Sequence, residues 1–338
     1  CYGIVGAVIY RIFACGASRT VGVLALLGYA AHPFIVFWSG NYWDSYVALA
    51  MFFCALRIAT ILPRIHRTAG VCGAMGGLLG FLSLTNASWL LSYPLLILYG
   101  LRGRPISTRL AGVAAAALAW GIVLTPWTIR NYVVFHRLFY VRGDLGFELD
   151  SGNHPYATGW IDPELADFNP YFNTQLRNQV LSLGEMRFYD QCAAEFRRHY
   201  AADRGAFWDR VLRRAVYIFL SDPTQAPSDV PLMGHRRVGA YYLDRLLLHA
   251  AVATLGLAGV WTAWRLKLGL AWIAPVALAT QLPLLVTFVD DRYVLPLRIV
   301  LTSFAAVLIW AVGFRLLHKR WPATATQSAG SPQASVAT

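Results

Sequence analysis

The chain has 338 residues, 57% of them hydrophobic and only 14% charged, with a mean hydropathy of +0.48. A soluble domain carries roughly a quarter charged residues, so a soluble globular enzyme is excluded and a polytopic membrane protein is expected. The formal charge of +12 comes from 27 Arg and two Lys, spread so that it reads as membrane topology rather than as a nucleic-acid surface.

The chain opens at Cys1, inside an apolar run, without Met or a signal-peptide pattern. It is therefore expected to be a piece of a protein that begins further upstream. Residues 1–12 read as the end of a helix, and a second helix is predicted over 20–38. A turn at 39–44 leads into a third helix reaching Leu62, followed by the basic turn 63–67. The Gly-rich stretch 69–84 and the apolar run ending near Gly100 read as two tilted helices or one broken one. Arg102, Arg104 and Arg109 flank the next turn, and a helix is predicted over 110–128. A long polar region follows. Helices are then predicted at 241–264, 268–288 and 292–314, each long enough for a hydrocarbon core of about 30 Å. The tail after Trp321 is small and polar and is expected to be disordered.

This divides the chain into membrane helices at 1–128, a loop domain at 129–240, membrane helices at 241–314 and a cytoplasmic tail at 315–338. The fold expected is mainly α: a polytopic transmembrane bundle with an α-rich extracytoplasmic loop domain.

Charge supports that topology. One set of alternate helix ends carries twelve basic residues, from Arg11 and Arg19 to Lys319 and Arg320, whereas the opposite short turns carry only Arg292. By the positive-inside rule the long loop lies outside the cytoplasm, and its own Arg residues do not count against this. All 17 acidic residues fall on that outer side: fourteen between Asp144 and Asp244, with Asp44, Asp290 and Asp291. Carboxylates also cap helix starts and avoid hydrocarbon, so their common side permits an external active site without requiring one.

Within the loop, 144–148 and 151–155 read as turns, and 173–202 has helical apolar spacing. Residues 206–220 read as an interfacial helix, with Arg210, Arg213 and Arg214 snorkelling to water. The five Cys have no metal-ligand spacing and imply no disulfide framework. No GxGxxG, P-loop, HExxH or GxSxG pattern occurs, which argues against a nucleotide-fed enzyme, a zinc protease or a serine hydrolase.

A membrane enzyme working at an outer face would more plausibly draw on a lipid-linked phosphate donor. Arg suits such a phosphate through bidentate, charge-assisted bonds. Arg130, Arg142, Arg292 and Arg298 stand near outer helix ends. Arg298, inside an apolar helix, could instead snorkel or pair with Asp290 or Asp291. Glycosyl transfer from a phosphate leaving group needs a carboxylate near the acceptor. Asp44, beside the aromatic pair Tyr42-Trp43, is the candidate. His32 and His154 read as structural.

The segment Leu124-Thr125-Pro126-Trp127-Thr128-Ile129-Arg130-Asn131-Tyr132, with Val141-Arg142, Gly146-Phe147-Glu148-Leu149 and Gly152-Asn153, resembles the GT-C glycosyltransferases where their chain enters the extracytoplasmic domain. The nearest likeness is to bacterial members of the dolichyl-phosphate-mannose protein mannosyltransferase and aminoarabinose transferase superfamily. Arg292-Tyr293-Val294-Leu295-Pro296 resembles that family's RYxxP segment. The resemblance implies an inner-membrane enzyme moving a sugar from a polyprenyl-phosphate carrier to an extracytoplasmic protein, lipid or glycan acceptor. It implies donor-phosphate contacts from Arg130, Arg142, Arg292 and Arg298. Glu148, Asn153, His154 and Asp144 would shape the acceptor side or the loop. No cofactor is implied, and a divalent metal is left open. Two departures stand out. The family's acidic catalytic position in its first outer loop would lie upstream of Cys1, and Asp144 stands where Asn is usual. A transporter or envelope scaffold, and a polyprenyl-linked glycan polymerase or ligase, remain as alternatives.

Overall fold

The computed structural model describes residues 1–39, 44–157, 159, 170, 173–220 and 235–318. The pair Tyr42-Trp43 and the tail after Trp321 lie outside them. The fold is all-helical, and no strand occurs among the described residues. Its helices are α1 (Tyr2–Gly16), α2 (Arg19–Ala31), α3 (Pro33–Ser39), α4 (Ser45–Ile61), α5 (Thr68–Thr85), α6 (Tyr93–Gly100), α7 (Ile106–Phe135), α8 (Leu145–Asn153), α9 (Thr174–Leu183), α10 (Glu185–Ala202), α11 (Arg204–Leu220), α12 (His235–Arg265), α13 (Ile273–Ala279), α14 (Leu282–Val286) and α15 (Asp291–His318). Among the described residues, five segments are long and apolar enough to cross a membrane: Ser45–Arg64, Thr68–Thr85, Ile106–Phe135, Leu246–Arg265 and Asp291–Leu316.

The predicted helix over 20–38 is two helices. Pro33 disfavours helical geometry in the residue before it, and His32 is extended, with φ −72° and ψ 111°. The predicted helix over 268–288 is also interrupted, as α13 and α14. Pro283 has no N–H to continue the ladder. There the Thr280 hydroxyl donates to the Ala277 carbonyl, and the Gln281 amide donates to Thr280 Oγ1 and to the Tyr293 carbonyl. The Gly-rich stretch, by contrast, is one full helix, α5, followed by a 3-10 turn (Ala87–Ser92) and the short α6.

Glycine sets the packing of two helix pairs. Along α5, Gly76 lies on the backbone of Ala116, and Gly80 faces Val123 and Trp120 of α7. Matching residues advance together, so α5 and α7 run parallel. In the same way Gly256 and Gly259 of α12 lie on Leu301 and Phe304 of α15. Small residues let backbones approach where no water drives helices together.

The centre of the bundle is α4 and α15, whose spans are 61% and 67% buried; α7 and α12 are only 17% and 28% buried. Leu118, Ile122 and Trp261 stand exposed on those outer helices. An apolar surface of that extent is foreign to water and natural to lipid.

The two ends of the bundle differ in charge. At one, Arg104 donates to the carbonyls of Leu62, Pro63 and Ile65, and Tyr99 stacks on Trp272 at 3.5 Å and bonds the Gly269 carbonyl. The basic turns predicted to share a side thus do so. At the other end lie the start of α4, the end of α7 and the start of α15, with Asp44, Asp144, Glu148, Asp290 and Asp291.

Close packing at Gly76 sets up a paired test. A Cβ added at Gly77, its neighbour, would meet nothing within 4 Å. Gly76→Val is expected to destabilise the detergent-solubilised protein by about 1–3 kcal/mol, while Gly77→Val costs well under about 1 kcal/mol by thermal unfolding. Equal losses would mean that α5 and α7 do not meet at this register.

Candidate functional site

The site is assembled around the exit of α7. The helix expected over 110–128 continues to Phe135, so Arg130 and Asn131 are helical. Pro126 lies inside it. The Thr125 and Thr128 hydroxyls donate to the Gly121 and Leu124 carbonyls, on either side of the one that Pro126 cannot serve. His136, in left-handed geometry at φ +53°, then turns the chain back. Trp127 Nε1 donates to the Val141 carbonyl at 3.0 Å, and Asn131 Nδ2 to the Phe139 carbonyl at 3.2 Å. Arg130 holds the Asn131 amide oxygen at 3.1 Å and lies over the Trp127 and Phe135 rings. The Pro-Trp-Thr-Ile-Arg-Asn segment therefore fixes where Arg142 emerges. Arg130 acts in that bracing.

The stretches 144–148 and 151–155, predicted as turns, are largely one helix, α8. Two glycines let it seat closely. Gly146 lies on the Tyr189 backbone and Ala193 of α10, and Gly152 lies on the backbone of Thr287. Asp150 and His199 of α10 approach at 3.6 Å.

The C-terminus of α8 is clamped from α11. Arg214, fully buried, donates to the Gly152 carbonyl, to the Leu285 carbonyl at 3.0 Å and to Asn153 Oδ1 at 3.0 Å. Arg210 donates to the Asn153 carbonyl, and the Asn153 amide donates to the Leu149 and Val286 carbonyls. The snorkelling predicted for Arg210 and Arg214 is thus overturned. They turn inward because the last carbonyls of α8 and α14 have no helical partner there. Only Arg213 faces out, paired with Asp209 at 2.8 Å. The outer face of α11 instead exposes Trp208, Leu212 and Val216. Asn153 and the buried His154, whose Nδ1 accepts from the Tyr156 N–H, belong to this structural end of α8.

Opposite α8 stands the start of α15. Asp290 caps it: Oδ1 accepts from the Arg292 N–H at 3.0 Å, and Oδ2 pairs with Arg292 Nε at 2.8 Å. Asp291 pairs with the buried Arg298 at 2.8 Å, and Arg298 also lies 4.6 Å from the Phe34 ring. The intramembrane guanidinium is thus balanced inside the helix that carries it. His32 is 4% exposed and stacks on His249 of α12, centroids 6.3 Å apart. Sequence reasoning singles out His32, as structural, but not its partner, which stands 217 positions further along the chain.

Between α8 and α15 a mixed cluster forms from Arg142, Asp144, Glu148, Asp290, Arg292 and Tyr293. Arg142 reaches Asp144 at 3.9 Å. Glu148 stands one helical turn beyond Asp144, half-buried. Burial, then Asp144, pushes its carboxyl up to about 7, with Asp290 adding to the rise and Arg142 and Arg292 opposing it. Asp144 is raised by burial against the pull of Arg142. Arg142 is held above its ordinary value although partial burial opposes this, because Asp144, Tyr293, Glu148 and Asp44 all attract its charge. Asp44, exposed at the start of α4 and making no cap bond there, is therefore within electrostatic reach of Arg142. Among the described residues no three His, Cys, Asp or Glu side chains stand as a metal-holding group.

Of the residues nominated from sequence, the fold unites Arg142, Asp144, Glu148 and Arg292, with Asp44 at the edge. It sets Arg130, Asn153 and His154 in supporting positions, and Arg298 one ion pair behind. Asp290 and Tyr293 join the cluster unannounced, although both flank the nominated Arg292. No protein-family model, curated protein or solved structure matches the chain.

Removing Arg214 orphans buried carbonyls at about 1–3 kcal/mol each, whereas an exposed pair is worth about 0–1 kcal/mol. Arg214→Ala is therefore expected to lower the unfolding temperature sharply and Arg213→Ala hardly at all. Glu148 gives a second test. Its folded carboxyl holds a proton between its ordinary value of 4.5 and about 7, so its contribution to stability is full below that range and is lost as pH rises through 7. Glu148→Gln should gain more stability over the parent at pH 8 than at pH 5 in thermal melts. An equal difference at both pH values would contradict the shift.

Proposed function

We propose that the protein is a GT-C-type membrane glycosyltransferase that moves a sugar from a polyprenyl-phosphate carrier to an acceptor on the extracytoplasmic side of the inner membrane. The observation that carries this reading is the cluster of two guanidiniums and three carboxylates at one end of apolar helices. A lipid-linked sugar phosphate presents its anion at headgroup depth. Arg142 and Arg292 are suited to hold that anion and to stabilise the negative charge that grows on it as the sugar leaves. Carboxylates beside them serve the acceptor. A cluster of both signs is what a substrate with an anionic leaving group and a proton-bearing nucleophile calls for.

The positive-inside rule supports the proposed sidedness. The basic turns gather at the opposite end, which favours the extracytoplasmic face for the cluster and α8 to α11. The apolar outer face of α11 then lies along the headgroup boundary. The likeness of the Pro-Trp-Thr-Ile-Arg-Asn segment to GT-C enzymes is a secondary support, since no family model matches the chain.

One observation favours a transporter as second reading. Helices broken at His32-Pro33 and at Thr280-Gln281 resemble the interrupted spans that line transport sites. Release of the lipid carrier separates the two, because a transporter leaves the sugar–phosphate bond intact.

The test is release of polyprenyl phosphate from polyprenyl-phosphate monosaccharides by the full-length protein in proteoliposomes. Arg142→Ala is expected to lower kcat/KM at least tenfold, about 1.4 kcal/mol of transition-state stabilisation. Asp44→Asn is expected to reduce release, and full activity in that variant would remove Asp44 from the site. Absence of release from any donor by the parent protein would sink the reading.

A further inference from the structure

Five carboxylates face the cluster or flank it, and they are not equivalent. Asp44 stands at its edge, exposed to water at the start of α4. Asp290 has both oxygens engaged by Arg292, one through the backbone N–H and one through the side chain. Asp291 is committed to the buried Arg298. Asp144 is turned toward Arg142 at the head of α8. The Glu148 carboxylate has no hydrogen-bond or ion-pair partner among the described residues, yet the residue is half-buried and held on a helix that is clamped at both ends. It is on the same face of α8 as Asp144, since residues four apart share a helix face. A carboxylate kept in a partly dry site without a partner is costly, and such a group is available to a ligand in a way that Asp290 and Asp291 are not.

We infer that Glu148, rather than Asp44 or the earlier outer-loop acid that the resemblance implies, is the catalytic base of the transfer, taking the proton of an acceptor hydroxyl as the acceptor attacks the anomeric carbon. This rests on the glycosyl-transfer reading above. The acceptor oxygen forms its bond to the anomeric carbon from the face opposite the phosphate. The bond from that carbon to the phosphate oxygen breaks, its electron pair leaving on polyprenyl phosphate, next to Arg142 and Arg292. The acceptor proton passes to the Glu148 carboxylate and from there to water once the product departs. A hydroxyl acceptor fits because it keeps its proton until the bond forms and so needs a base at hand.

The surroundings tune this group from every element that faces it. Asp144 on its own helix and Asp290 before α15 repel its charge. Arg142 before α8 and Arg292 on α15 attract it. Tyr293 of α15 lies in the same field, Asp44 at the start of α4 acts on Arg142, and Glu185 at the start of α10 acts on Asp144. With burial, the balance leaves the carboxyl titrating at about 7, where a base is both ionised in useful amount and strong enough to act.

The experiment is single-turnover release of polyprenyl phosphate by the full-length protein between pH 5 and 9, with binding of unsugared polyprenyl phosphate measured in parallel. In the parent the rate is expected to rise with pH through about 7. Glu148→Gln should lose about 10²- to 10⁴-fold in rate and lose that pH limb, while binding polyprenyl phosphate within threefold of the parent, which also shows that it is folded. Glu148→Asp should keep the limb at a lower rate. Asp144→Asn should move the limb to lower pH, because one of the charges that raises Glu148 is gone; a purely structural Glu148 would leave the limb in place. If the parent is active and Glu148→Gln keeps its rate within twofold with the limb intact, Glu148 is not the base and the glycosyl-transfer reading stands. If the parent releases nothing from any donor, that reading fails and takes this assignment with it.

Discussion

The site depends on one buried guanidinium. Arg214 gathers the Gly152 carbonyl, the Asn153 side chain and the Leu285 carbonyl, so that the end of α8, the middle of α11 and the end of α14 meet at a point. Helix C-termini leave carbonyls without partners, and two such ends converge here. A single planar donor with five N–H groups satisfies them where water has been excluded. With that clamp in place, Asn153 reaches Val286, Gly152 seats on Thr287, and α8 is carried to the start of α15. Without it the two walls of the charged cluster have no fixed distance between them. The positions of Glu148 and Asp144 are thus set by residues that never face the cluster.

The membrane bundle supplies the opposite wall by another route. Close glycine contacts lock α12 to α15 and α5 to α7 in parallel, which brings the start of α15 level with Leu246 of α12. Parallel neighbours need a return path, and the interrupted α13–α14 provides it while adding its own C-terminal carbonyls to the Arg214 clamp. The break at Pro283 is therefore part of how the site is braced. On α7 the return is made by His136, and Trp127 and Asn131 hold the reversed stretch of chain against the helix, which delivers Arg142 to the cluster.

Much of this is legible in the sequence. Hydropathy and charge act at the level of whole segments, so the membrane class, most helices and the separation of basic and acidic ends follow from composition alone. Arg142 and Arg292 could be nominated because charges flanking apolar helices have few places to go, whereas only the resemblance to GT-C enzymes nominates Asp144 and Glu148. What could not be read is tertiary. Gly146, Ser151, Gly152 and Asn153 look like turn residues, yet they are helical because α8 needs small residues where it touches α10 and Thr287. Arg210 and Arg214 look like snorkelling residues because apolar groups surround them on both sides in sequence. Their direction is decided by carbonyls contributed from α8 and α14. The Asp291–Arg298 pair did carry a signal, since seven residues place both on one helix face two turns apart.

The difference between spent and unspent charge is what gives the cluster chemical direction. A charge beside hydrocarbon must be neutralised or kept near water. Arg298 and Asp291 follow the first course, and Asp290 with Arg292 nearly so, their side chains being only 10% and 16% exposed. Arg142 follows the second: its side chain is 52% exposed and its nearest carboxylate is 3.9 Å away. It is the cation best able to meet an anion arriving from outside, because little has to be broken first. Glu148 is its counterpart among the carboxylates, half-buried one turn from Asp144 and without an ion pair among the described residues. Among the described residues of the cluster, the fold therefore leaves one half-exposed guanidinium and one half-buried carboxyl outside any close ion pair, on a background of charges already balanced. That polarity is what the proposed transfer needs, a cation for the phosphate and a carboxyl for the proton.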